Sequence, residues 1–342
     1  MKALMVLGGV VVALFVLSAC EQGPLPERTL VLGASINDST GVATDSLLGN
    51  PDGLVIMPSG ELVLPDHDKN ELRIISHPGF KLLRTIGRKG EGPGEFNAFY
   101  DVAVAPDGRL AVSDNLNRRI TIFDATGTYV RDIVLQGTRP GVVAFDAQGR
   151  LYVRQRSSEN PATGDPIVQV LSTNYERQFG IGSFRPTDDP MGQGYMNDVR
   201  MTPSPDGGMW VLYRYQSVLE HYDAKGKRAN RLVVPVKTPE DTTGPFIHHV
   251  PNNPNRVGIA RSPVVTDLVA SGDSLVLVVA IEKGKDSERK SRVYAYTAVG
   301  KPQYQAVINY YVSRIAVLHG QIAALRFQAS EPARLDFYSV KP

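Results

Sequence analysis

Short apolar runs broken by turn residues fill the stretch from Val102 to Leu135. Val102-Ala-Val-Ala105 leads into a tight turn at Pro106-Asp107-Gly108, and Leu110-Ala-Val112 follows. After polar residues from Asp114 to Arg119 comes Ile120-Thr-Ile-Phe123, in which apolar and polar positions alternate. A last run, Val130 to Leu135, stands beyond the Ala125-Thr126-Gly127 turn. Runs this short, bounded by Pro, Gly, Asp and Asn, predict four strands in an antiparallel meander.

The pattern repeats. A shift of 48 residues lays Pro58-Ser59-Gly60 on Pro106-Asp107-Gly108, Leu62 on Leu110, Asp66 on Asp114, Leu72 on Ile120 and Gly79 on Gly127. A shift of 41 the other way lays Gln148-Gly149 on Asp107-Gly108 and Leu151-Tyr152-Val153 on Leu110-Ala111-Val112. A four-stranded unit recurring every ~40–50 residues is the signature of a β-propeller. The first such unit runs from Gly53 to Ile86 and the second is the stretch above. The third starts at Val142, the fourth at Val199 and the fifth at Val265. The sixth has only three strands, Arg314–Leu318, Gln321–Phe327 and Arg334–Val340, whereas Thr29–Leu32 is a strand with no hairpin partner nearby. Laying that spare strand on the outside of the sixth sheet closes the ring and hides the open edges. The expectation is an all-β, six-bladed propeller over residues 28–342, its four-stranded antiparallel blades closed by the N-terminal strand.

Turn lengths separate the two ends of this ring. Turns after first and third strands are tight, as at Pro58-Ser59-Gly60, Asp206-Gly207-Gly208 and Ala125-Thr126-Gly127. The long connections, 87–97, 155–166, 182–197, 235–263 and 282–291, all follow second or fourth strands and must emerge at the opposite face. One bland face and one elaborated face predict binding at the elaborated one. The mouth of the central channel opens there. Matching the apolar pairs of the first strands places Asp101, Asp198, Asp267 and Arg314 in one ring around it, with Gly53 at the blade-one position. Asp66 and Asp114 start the second-to-third turns nearby, and Arg154, Arg214 and Arg326 end neighbouring second strands. Three readings follow: structural carboxylates that accept backbone N–H bonds and pair with arginines, a ligand or hard-cation site, and a catalytic site. Calcium would need several converging oxygens, of which three Asp supply part. An enzyme would use such a cation, or an Asp base, on an ester or lactone. His248-His249 are adjacent on an extended chain and point to opposite sides. Gly87-Arg-Lys-Gly90 lacks phosphate-loop spacing.

The chain has 342 residues, 42% of them hydrophobic, enough for a large single-domain core. Its charges nearly cancel, at +2 overall, with no basic block suited to nucleic acid. The N-terminus carries Lys2, then an unbroken apolar and glycine run from Ala3 to Leu17. That run is shorter than the ~20 residues a bilayer span needs and suits a secretory signal. Cys20, the sole cysteine, excludes internal disulfides.

Leu17-Ser18-Ala19-Cys20 resembles a bacterial lipobox. That resemblance implies a signal peptide over 1–19, palmitoylation at Cys20, a tether over 20–27 and anchorage at the cell envelope. Glu21 after the cysteine points to the outer membrane or its periplasmic face. The first two blades, with the Gly90-Glu-Gly-Pro-Gly-Glu-Phe96 link, resemble NHL repeats. The whole resembles bacterial six-bladed propeller lipoproteins. The Gly/Pro loop is also similar to one in peptidyl-hydroxyglycine lyases, although their metal histidines find no match here. Gln155, Arg214 and Arg326 stand roughly where the first blades have Asp66 and Asp114, so no regular Asp ring is expected at that position. The expected function is a membrane-anchored monomer that binds a protein, peptide or small molecule on its elaborated face. The alternative is a metal-dependent, lactonase-like hydrolase or lyase using Asp101, Asp198 and Asp267.

Overall fold

The computed structural model describes residues 25–37, 47–135, 138–157, 164–185, 196–236, 247–250, 253–259, 265–271, 275–283, 289–328 and 331–341. The segment expected to be a signal peptide and most of the expected tether, with Cys20, lie outside the described residues.

Six four-stranded antiparallel sheets follow one another along the chain, and each strand pairs with the next in sequence. Blade one is β2 (Val55–Ile56), β3 (Leu62–Asp66), β4 (Glu71–Ile75) and β5 (Leu82–Ile86). Blade two is β6 (Phe99–Val104), β7 (Leu110–Asp114), β8 (Arg119–Phe123) and β9 (Tyr129–Val134). Blade three is β10 (Thr138–Phe145), β11 (Leu151–Ser157), β12 (Val168–Leu171) and β13 (Arg177–Ile181). Blade four is β14 (Val199–Pro203), β15 (Met209–Tyr213), β16 (Val218–Tyr222) and β17 (Arg228–Val233). Blade five is β20 (Val265–Ser271), β21 (Leu275–Lys283), β22 (Arg289–Thr297) and β23 (Pro302–Ile308). In blade six, β24 (Arg314–Leu318), β25 (Gln321–Gln328) and β26 (Glu331–Lys341) are completed by β1 (Thr29–Asn37).

The closure expected from the sequence is present. β1 runs antiparallel to β26 from Thr29 opposite Lys341 to Asn37 opposite Arg334, with a bulge between Leu32 and Ala34. It reaches five residues beyond the apolar run Thr29–Leu32. The inner strands β2, β6, β10, β14, β20 and β24 each touch the next, and β24 returns to β2. One departure lies between blades four and five. The connection read as a plain loop carries a two-stranded hairpin, β18 (Ile247–Val250) with β19 (Asn253–Ile259).

The core is divided among six clusters, one in each gap between adjacent blades. Leu110 and Val112 of β7 pack toward blade one, while Ala111 between them packs toward blade three. Middle strands are therefore apolar on both faces, and β3, β7, β15 and β16 are buried at every position. The outer strands β5, β9 and β17 are largely exposed. This arrangement leaves the free edge of each inner strand facing the central channel, where its unpaired backbone groups must find partners.

Candidate functional site

A cavity of about 320 Å³ runs through the centre, lined by four consecutive residues from each of the six inner strands. At the end from which the inner strands start, the lining residues are Gly53, Asp101, Val142, Arg200, Asp267 and Arg314. Asp101 and Asp267 belong to blades two and five, on opposite sides of the ring. Arg200 and Arg314 flank Asp267 from blades four and six. Two carboxylates thus share the ring with two guanidiniums, and its formal charge is zero.

This differs from the sequence expectation at one blade. Asp198 is not in the ring; Arg200 holds the blade-four position. Asp198 lies two residues upstream and forms an ion pair with Arg214 at 2.8 Å. The reason is register: the tight turn of blade four opens at Ser204, which accepts no slip because its N–H bonds Gly208 O at 3.0 Å. Asp52, which sequence reasoning passed over, also reaches the mouth, with Oδ1 at 3.2 Å from Arg314 Nη2.

The two ring carboxylates cap the neighbouring blades. Asp101 Oδ2 accepts the Val143 N–H at 3.0 Å, and Asp267 Oδ2 accepts the Ile315 N–H at 3.0 Å. Thr202 Oγ1 accepts the Ala270 N–H at 2.8 Å. Each ties an inner strand to the next blade's free edge. Burial pushes the Asp101 carboxyl above its ordinary range, against the pull of Arg200 and Arg314.

Arg200 is different. It is 8% exposed, yet among the described residues its Nε and Nη1 find no hydrogen-bond partner. Burial opposes its charge, but Asp101, Asp267 and Asp198 outweigh that cost and raise its pKa. It is a desolvated, fixed cation with donors to spare. Arg214 stands behind it, its pKa lowered by burial and by the nearby Arg200. Arg314 uses Nη1 on Ser313 O at 3.2 Å.

The other residues singled out from the sequence serve the frame. Asp66 accepts the Asp68 and Lys69 N–H groups at 3.1 and 3.3 Å and pairs with buried Arg73 at 2.8 Å. Asp114, fully buried, accepts the N–H groups of Asn97 and Ala98 at 3.0 and 3.1 Å. Arg154 Nε donates to Asn197 O at 3.0 Å, and the Arg326 guanidinium lies 5.9 Å from the Tyr310 ring centre. The Gly/Pro link is also built. Glu95 accepts the Gly92 N–H at 2.8 Å, and Arg119 donates to Gly92 O at 2.7 Å and to Glu95 O at 3.0 Å. Gly87, at φ +84°, lies so close to the Phe96 ring that a Cβ there would sit 2.0 Å from it.

Calcium does not fit this ring. With Asp198 paired elsewhere, two carboxylates remain in the ring, each already bonded to a backbone N–H, and Asp267 is flanked by two guanidiniums. Among the described residues, no group of three His, Cys, Asp or Glu side chains could hold a metal.

Six four-stranded blades around a lined channel define a six-bladed β-propeller. No protein-family model matches the chain. It is 30% identical over 135 residues to NHL repeat-containing protein 3 of Mus musculus, a match spanning 38% of this chain and 38% of that protein. Its fold is similar to that of a DUF4221 family member from Bacteroides vulgatus (TM-score 0.60, 9% identity, 93% of this chain and 99% of that one). It is also similar to a Bacteroides fragilis protein proposed to be exported (TM-score 0.56, 12% identity, 92% and 99%). Virginiamycin B lyase of Staphylococcus aureus shares the architecture too (TM-score 0.51, 10% identity, 91% and 99%). At such identities these structures speak for the fold alone.

Proposed function

We propose that this protein is an exported, lipid-anchored binding module of the bacterial cell envelope that takes a small ligand or peptide at the channel mouth of its loop-bearing face. The observation that carries this reading is Arg200: a buried guanidinium with unmet donors, held at the opening of a preformed cavity. Unmet buried donors are costly, and binding sites are where such costs are tolerated, because a ligand removes them. All the long connections leave the blades at this same end. A metal-dependent hydrolase or lyase built on Asp101, Asp198 and Asp267 loses its third ligand in this geometry.

Hydrogen exchange of the full chain with and without a small-molecule extract of the envelope tests the binding. Protection is expected at residues 51–54, 97–101, 197–200 and 312–315. Protection confined to the opposite turns at 58–60 and 106–108, or none at all, would overturn the reading.

The anchor has its own test. In a bacterial host, radiolabelled palmitate should enter the wild-type chain and not Cys20→Ser, and the variant should leave the membrane fraction. An unlabelled wild-type chain would reduce residues 1–19 to an ordinary signal. A single acyl chain anchors marginally, so stable membrane retention requires a second membrane signal beside the Cys20 acyl chain.

A further inference from the structure

We propose that the channel binds a small carboxylate ligand, with its anionic end on Arg200 and its apolar part lying along the channel. This rests on the binding function proposed above and narrows it to a ligand class.

Several donors on the inner face of the ring find their acceptors within the protein. Val143, Ile315 and Ala270 N–H groups have acceptors in Asp101, Asp267 and Thr202. Arg314 has Asp52 and Ser313 O. The exception is Arg200, whose Nε and Nη1 are buried without an acceptor among the described residues. The missing partner is therefore an acceptor, and beside a fixed cation an anionic acceptor gains most.

Charge selects among anions. Asp101, Asp267 and Asp52 outnumber Arg200 and Arg314 by one at the mouth, so an anion is held through the unmet donors of Arg200 and not by net charge. The less charge it carries, the less it is repelled by those carboxylates. A dianion such as phosphate meets twice the repulsion from the same carboxylates that a monoanion does, in a poorly screened site. A carboxylate matches the arrangement; a phosphate does not.

The cavity selects the rest of the ligand. Below the ring its wall includes Ile56, Val104, Phe145 and Val317. A volume of about 320 Å³ suits a compact molecule, and such a wall offers a hydrophobic gain of ~0.8 kcal/mol per buried methylene. The channel is thus polar at its mouth and apolar within, the distribution that a short-chain or ring-bearing carboxylate complements.

The test uses the full chain in non-ionic detergent, titrated by calorimetry with hexanoate, 1-hexanol and inorganic phosphate, each corrected for a detergent blank. In parallel, the Nε–H resonances are followed in chain labelled with nitrogen-15 arginine. Hexanoate should bind at least tenfold tighter than either comparator and shift one slowly exchanging Nε–H signal, absent in Arg200→Lys. Arg200→Met should weaken hexanoate about 30-fold, in line with the cost of removing one partner of a buried charged pair. Arg200→Lys keeps the charge and should lose about tenfold, so the proposal stays testable if Arg200→Met fails to fold. Hexanoate binding no tighter than hexanol or phosphate overturns the proposal. So does tight hexanoate binding that both Arg200 variants leave unchanged. Where the envelope extract nonetheless protects the loop-bearing face, the broader binding function survives; absence of both effects removes the two together.

Discussion

Removing residues 29–37 is expected to convert the protein from a closed propeller to an aggregating chain. β1 is the outer strand of blade six, and among the described residues its sheet partner is β26, which it meets at eight registered positions. Ala34 and Ile36 pack against the cluster that joins blades six and one, which includes fully buried Leu335 and Phe337. Just before β1, Arg28 donates to Gln305 O at 2.8 Å and Gln305 donates to Pro26 O at 2.9 Å, so the same segment clasps blade five. Backbone hydrogen bonds contribute ~0.5–1.5 kcal/mol each. Losing the ladder to β26, with the apolar contacts above it, costs on the order of the whole ~5–15 kcal/mol that holds a typical domain folded, and the clasp at Pro26 and Arg28 is left with no strand to carry it. Deletion also uncovers the edge of β26 from Arg334 to Lys341, a template for pairing with other chains. Size-exclusion chromatography and thermal melts followed by circular dichroism would read this out. A deleted chain that stays monomeric and melts within a few degrees of wild type would mean that three strands suffice for blade six.

Blade count and closure were legible in the sequence because they are written in turns. Pro-Asp-Gly and its relatives fix where strands reverse, and a spare strand at one end answers a missing strand at the other. The channel lining holds Gly53, Asp101, Asp267 and Arg314 where the apolar pairs put them in blades one, two, five and six, whereas blade four presents Arg200 and not Asp198. There the inner strands were aligned by apolar pairs. Each inner strand is buried between two neighbouring blades, so alternation does not mark one core-facing side and carries no phase. The turn does carry it. Counting four residues back from Met57, Ala105, Asp146, Ser204, Ser271 and Leu318, where the tight turns begin, returns Gly53, Asp101, Val142, Arg200, Asp267 and Arg314, the observed ring. Arg200 was therefore findable, but its unmet hydrogen bonds were not, since they depend on which acceptors three other blades present. The β18–β19 hairpin was hidden for another reason: Val250-Pro-Asn-Asn-Pro254 reads as punctuation, and a lone two-stranded ribbon gives no repeat to match.

Asp114→Ala should lower stability by ~3–5 kcal/mol and loosen the ligand face with it. The carboxylate is fully buried and gathers four donors. The Asn97 and Ala98 N–H groups lie at 3.0 and 3.1 Å, the Asn117 N–H at 3.3 Å and Asn117 Nδ2 at 2.7 Å. Alanine strands three backbone donors at once, each costing ~1–3 kcal/mol where water cannot replace the partner. Two of them lie where the Gly/Pro link from blade one enters β6, three residues before Asp101. The damage therefore spreads toward the channel mouth, where a small displacement of Asp101 breaks its bond to the Val143 N–H. Asp114→Asn keeps one acceptor oxygen and should cost about half as much. Urea unfolding of the two variants gives the energies, and hydrogen exchange at residues 97–101 locates the loosening. Equal stability of Asp114→Ala and wild type, or unfolding of Asp114→Ala without early exchange at 97–101, would show that this carboxylate does not hold the blade-one link in place.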